Sequence, residues 1–131
     1  MLSGSCLCGA VRYEVRGELG ESIFCHCSRC RKASGSAFAS NAAVSVQDFA
    51  FTQGEAKLNT FSTADGVHRL FCSQCGSPII TRRDAFPASV RLRLGTLDTP
   101  LATGPQMHIF VASKADWYTI LDQLPQHRGR P

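Results

Sequence analysis

The chain lacks any long apolar run. Nothing in its 131 residues approaches the roughly 18 consecutive apolar side chains of a membrane-crossing helix. The opening MLSGSCLCGA has neither a basic start nor an apolar stretch, so it does not read as a secretory signal. Internal repeats, linkers and low-complexity segments are absent as well. These absences leave one cytoplasmic domain over residues 1–131 as the expectation, with its core at about 4–124. There is also no polybasic tail. The net charge of +4 is mild and spread along the chain, which suits small anionic ligands and argues against nucleic acid or membrane partners.

Helical patterns are scarce, whereas period-two patterns are frequent. AVRYEV puts Val11, Tyr13 and Val15 on one face and Arg12 and Glu14 on the other. KLNTFS, VHRLFC, PIITR, SVRLRLGTL and HIFVA alternate similarly between Gly, Pro, Ser or Asp turn signals. In SVRLRLGTL, Arg91 and Arg93 read as the wet face of a half-buried strand. The expected fold is mainly β, with short and strongly bent sheets. Two helical pieces are expected at most: one turn at SRCRKAS, and SKADWYTILDQL capped by Ser113. The tail PQHRGRP reads as a loose terminus.

Cysteine is what the chain has in excess. Seven is an odd number, and clustered cysteines in a reducing compartment bind metal more often than they form disulfides. Cys72-Ser-Gln-Cys75-Gly is a zinc knuckle, and Cys6-Leu-Cys8-Gly is a tighter clip. Together they make a four-thiolate set that would close the loop over residues 9–71. Cys25, Cys27 and Cys30 are then left as three ligands with one position open, the arrangement of catalytic zinc. Cys27 and Cys30 with Cys72 and Cys75 would also make a zinc-ribbon-like set, which leaves Cys6, Cys8 and Cys25 without a compact motif.

Three thiolates on Zn²⁺ carry a net negative charge that is costly away from water. Arg29, Arg31 and Lys32 follow at once, placed to offset it or to hold a substrate carboxylate. The SGSAFAS stretch leaves backbone N–H groups open to an anion or a narrow substrate. His26 reads as a solvent-facing residue or a support behind the ligands, and His68 as a structural residue on a strand. No general base is evident.

GSCLCGAVRYEV, CHCSRCRKASGSAFAS, FCSQCGSPI and HIFVASKADW, in this order, resemble the glutathione-dependent formaldehyde-activating enzyme family, which includes centromere-protein-V-like proteins. The resemblance implies a β-tent fold of short antiparallel sheets stapled by two zinc ions. By position it implies Cys6, Cys8, Cys72 and Cys75 as structural ligands, and Cys25, Cys27 and Cys30 as ligands of the catalytic zinc. The implied activity is carbon–sulfur lyase-type, as in S-(hydroxymethyl)glutathione synthase, on a small thiol such as glutathione and an aldehyde such as formaldehyde. His108 and Trp117 match the C-terminal motif and read as packing residues. The alternative is a non-catalytic zinc module that binds protein or nucleic acid.

Overall fold

The computed structural model describes residues 1–131. Strand β2 (Arg12–Val15) buries Tyr13 and Val15 and turns Arg12 to solvent, as the alternation requires. It pairs antiparallel with β1 (Leu2–Ser5) on one side and β5 (Phe49–Gln53) on the other, making a three-stranded sheet.

The second sheet has seven strands. Its spatial order is β10 (Met107–Ile109), β3 (Ser22–Cys25), β4 (Ala39–Ser45), β9 (Ser89–Arg93), β8 (Pro78–Arg83), β7 (Val67–Cys72) and β6 (Leu58–Ser62). All pairs are antiparallel except β10 with β3, which run parallel, a departure from the expected all-antiparallel arrangement. The single α-helix, α1 (Ser28–Ser34), falls on SRCRKAS. No helix is long and apolar enough to cross a membrane.

The main core joins the two sheets. Cys6, Val11, Tyr13 and Val15 meet Val44, Leu70, Ile80, Val90 and Leu92 from the larger one. Tyr13 keeps its hydroxyl satisfied on Thr96 Oγ1 at 2.7 Å, and burial raises its pKa to about 12. A satellite cluster of Ile23, Cys25 and Ile109 lies apart from it.

Leu92 is fully buried in β9, so its neighbours Arg91 and Arg93 must face the other way. Leu92→Ala is expected to cost about 2–5 kcal/mol from lost burial and the cavity left behind. Denaturant unfolding of the metal-loaded protein measures it, and a loss below about 1 kcal/mol would contradict this packing.

Four expectations need correcting. The face bearing Arg91 and Arg93 is not wet: Arg93 is only 6% exposed and Arg91 is half-buried, because that face closes over a cavity. The segment after Ser113 is not helical, and Trp117 and Leu121 are exposed. Its polar groups bind elsewhere instead. The Lys114 ammonium donates to the Ala115 and Tyr118 carbonyls, and the Asp122 carboxylate accepts from His108. Tertiary contacts of this kind override a modest helical pattern.

The tail is not loose either, because its backbone extends the sheet beside β10. His127 N–H donates to His108 O at 2.9 Å, and His108 N–H donates to Pro125 O at 2.9 Å. Finally, SGSAFAS ends α1 and opens β4 rather than forming an anion loop. Ser34 Oγ donates to the Cys30 carbonyl at 2.7 Å, and Ala39 and Ser40 pair with Cys25 and Phe24.

Candidate metal centres

The seven thiols divide four and three. The sulfurs of Cys6, Cys8, Cys72 and Cys75 lie within 4.8 Å of one another, and those of Cys25, Cys27 and Cys30 form a second such group. This excludes the ribbon-like pairing of Cys27 and Cys30 with Cys72 and Cys75.

Cys6 and Cys8 follow β1, while Cys72 ends β7, so the group of four links the two sheets. Cys6 Sγ to Cys8 Sγ is 3.6 Å and Cys8 Sγ to Cys72 Sγ is 3.8 Å. Four sulfurs placed tetrahedrally at the Zn–S length of ~2.3 Å would stand ~3.8 Å apart, so the spacing fits zinc. Backbone donors address the sulfurs as they would thiolates: Val11 N–H to Cys6 at 3.3 Å and Gln74 N–H to Cys72 at 3.4 Å. Gly9 and Gly76 close the two clips with φ of 78° and 79°, the left-handed conformation these turns need.

The group of three is built on a strand end and a helix start. Cys25 ends β3 and is buried, while Cys27 caps α1 and accepts from Cys30 N–H at 3.3 Å. Hydrogen bonds from Cys25 and Cys30 lower Cys27 to about 2, and the same sharing with Cys27 and Cys30 drives Cys25 far upward. Protons this crowded are readily exchanged for one soft divalent cation. The donor set fits zinc with one position left for another ligand.

These three cysteines border a cavity of about 290 Å³. Asn41, Thr81 and six arginines (Arg29, Arg69, Arg83, Arg91, Arg93, Arg130) share its wall, with no carboxylate. Strand register explains the gathering: Asn41 stands opposite Arg93, Arg91 opposite Thr81, and Thr81 opposite Arg69, across β4, β9, β8 and β7. A second cavity of about 560 Å³ shares Arg29, Arg69, Thr81 and Arg93 with the first. It adds Lys32 and an apolar wall that includes Phe61, Phe71 and Pro78. Burial lowers the pKa of Arg93, and the Cys30 thiolate is the foremost group opposing that shift.

Of the basic residues picked out from the sequence, Arg29 borders both cavities and is held by Asp65 at 2.8 Å. Lys32 borders only the larger one, and Arg31 borders neither. Arg69, Arg83, Arg91, Arg93, Arg130 and Asn41 were not picked out. Their signal was available in VHR and SVRLR, where arginines alternate with buried apolar residues, but only pairing shows that the strands share one face.

His26 is fully buried and not solvent-facing. Its Nε2 lies 2.8 Å from His108 Nδ1, and His108 Nε2 lies 2.9 Å from Asp122 Oδ2. Burial, followed by the charges of His108, Lys114 and Arg31, lowers His26 to about 4, so its ring is neutral at neutral pH. The Asp122 carboxylate can only accept, so His108 Nε2 donates to it. His108 therefore pins the loop between Cys25 and Cys27 to the C-terminal segment. Trp117 stands exposed rather than packed. His68 lies away from both thiol groups, bonded to Ser62 Oγ at 2.7 Å and Asp84 Oδ1 at 2.8 Å.

The chain is similar to several known proteins. A Halomonas elongata protein, provisionally named a glutathione-dependent formaldehyde-activating enzyme, is 31% identical over 127 residues, covering 92% of this chain and 81% of that protein. An Aspergillus flavus protein with the same provisional name is 24% identical over 126 residues; the match covers 95% of this chain but 57% of the relative's length. The crystal structure of a Rhodobacter sphaeroides protein superimposes with a TM-score of 0.64 at 26% identity, covering 76% of this chain and 91% of that one. The model of the family described as glutathione-dependent formaldehyde-activating enzyme matches residues 1–113. With that match across most of its length, the chain belongs to the glutathione-dependent formaldehyde-activating enzyme family.

Proposed function

We propose that this protein is a zinc enzyme of carbon–sulfur lyase type, joining a small thiol such as glutathione to an aldehyde such as formaldehyde, or separating them. The observation that carries the reading is the contrast between the two thiol groups. The group of four is complete in itself, whereas the group of three opens on an arginine-lined cavity.

Cys6, Cys8, Cys72 and Cys75 would hold a structural zinc, and Cys25, Cys27 and Cys30 the zinc at which chemistry occurs. Bound there, zinc supplies a Lewis acid for the aldehyde oxygen or lowers the pKa of a thiol. Arg93 offsets the negative charge of the three thiolates. The larger cavity suits the body of the thiol, with its apolar wall for the chain and Lys32, Arg29 and Arg69 for carboxylates. Holding both reactants in adjoining cavities makes the addition effectively intramolecular. A C–S bond forms as the carbonyl π bond breaks, and the thiol proton ends on the new hydroxyl. No imidazole or carboxylate borders either cavity, so solvent carries that proton. His26, His108 and Asp122 act as positioning residues behind the cysteine loop.

Exchange NMR on the hemithioacetal of glutathione and formaldehyde tests the reading. Zinc-loaded protein should accelerate its formation and breakdown, with metal analysis near two zinc ions per chain, one for each thiol group. An exchange rate equal to that in buffer, with both sites filled, would refute the catalytic assignment.

A further inference from the structure

Three of the six arginines have no evident task in the chemistry above. Arg29 is paired with Asp65, Arg69 and Arg93 border both cavities, and Arg93 has the thiolates beside it. Of these two cavities, Arg83, Arg91 and Arg130 border only the smaller, cysteine-bearing one; Arg83 also lines a third cavity beside Phe86, whose ring its guanidinium covers at 4.3 Å. The three arginines come from β8, β9 and the tail, so three separate segments converge to place them at the smaller cavity.

None of the three is in an ion pair. Burial lowers the pKa of Arg83 and Arg91; Arg91 and then Arg130 add to this at Arg83, and Arg130 adds to it at Arg91, where Glu21, Cys25 and Cys30 oppose it. Guanidinium groups gathered at one cavity repel one another, and a carboxylate between them is favoured by charge-assisted hydrogen bonds. The floor points the same way. Arg93 Nη1 and Arg91 Nε are buried donors without a hydrogen-bond partner, and Arg93 is only 6% exposed. Buried polar atoms in folded proteins are seldom left so. Formaldehyde is neutral and offers a single carbonyl oxygen, whereas a carboxylate brings a negative charge and two acceptor oxygens.

We propose that Arg83, Arg91 and Arg130 form a carboxylate subsite inside the three-cysteine cavity, so that the substrate carries a carboxylate close to its reacting carbon or sulfur. The proposal rests on the three-cysteine cavity being a substrate site. Two sources offer that chemistry. One is a carboxylate of the thiol itself, and the other is an aldehyde that bears its own carboxylate, a 2-oxo acid such as glyoxylate. In the second case the thiol adds across the aldehyde C=O as before: one C–S bond forms, the proton passes from sulfur to oxygen, and nothing is oxidised or reduced.

Binding is measured first, without any reaction. Calorimetric titration of the zinc-loaded protein with succinate, which has neither thiol nor aldehyde, should show saturable binding. Arg91→Met should weaken it roughly tenfold, as expected for a lost charge-assisted hydrogen bond. Arg130→Met should act in the same direction. Arg130 is exposed near the chain end, so this variant keeps the fold intact. Absence of succinate binding, or equal binding by wild type and both variants, overturns the subsite even if hemithioacetal exchange is catalysed.

Exchange rates then assign the source. A loss in Arg130→Met confined to glyoxylate, with formaldehyde unaffected, places the carboxylate on the aldehyde. A loss with glutathione but not with cysteamine places it on the thiol. A loss equal for all four reagents overturns the proposal, because the arginines would then serve only the metal or the fold.

Discussion

Cys72→Ala is expected to leave the chain largely unfolded, with no cooperative thermal transition near that of the wild type. Cys72 is fully buried at the end of β7, with Cys8 Sγ at 3.8 Å and the Gln74 N–H at 3.4 Å. Judged as packing alone, the change removes little more than one buried group, about 1–2 kcal/mol. Judged as a ligand, it removes one of four thiolates from a site whose zinc contributes ~10–16 kcal/mol to folding in comparable small units. A domain of this kind has a net stability of about 5–15 kcal/mol, so only the second case empties the folded state. With zinc bound, the group of four would also fasten the N-terminal clip to the larger sheet. Circular dichroism melts with parallel zinc analysis decide between the two. A variant that melts within a few degrees of the wild type would show that Cys72 is a packing residue and no more.

The second large effect falls on activity. Cys27→Ala is expected to stay folded, to lose about one zinc ion, and to lower the exchange rate at least about 100-fold, the upper end of what disturbing even the partners of metal ligands costs. The separation of effects follows from location. Cys27 is partly exposed and packs on the satellite cluster of Ile23, Cys25 and Ile109, outside the main core. Its structural duty is the cap of a seven-residue helix, worth about 1 kcal/mol. The loop it occupies is also fastened independently by His26 to His108. An unfolded Cys27→Ala protein would mean that both thiol groups are staples. A folded variant with unchanged activity would move the chemistry elsewhere.

The clips were legible because their chemistry is local. Two cysteines separated by one or two residues and followed by glycine state a turn and a ligand pair in a few positions, and Gly9 and Gly76 adopt the positive φ that this implies. The alternation of AVRYEV was legible for the same reason, since a strand with one wet face needs period two. The alternation of Arg91 and Arg93 was equally visible, yet its meaning was the reverse of the local reading. A polar face points to water only if nothing closes over it, and here α1, β10 and the tail border the space above. The segment after Ser113 failed differently: its apolar spacing lacked a surface to bury against, and its charged groups had better partners.

Residues by themselves thus determined the mainly β character, the two thiol-rich clips, the three extra cysteines and the family. Each depends on spacings within a few positions or on ordered motifs. Only tertiary structure decided which sulfurs come within 4.8 Å of one another, because that depends on the turn after β1 meeting the end of β7 across a long stretch of chain. It alone assembled the row of Asn41, Arg93, Arg91, Thr81 and Arg69, since strand register is a relation between distant segments. It also turned His26 inward to His108 and Asp122. Burial and pairing there came from a neighbour more than eighty positions away, which no local pattern encodes.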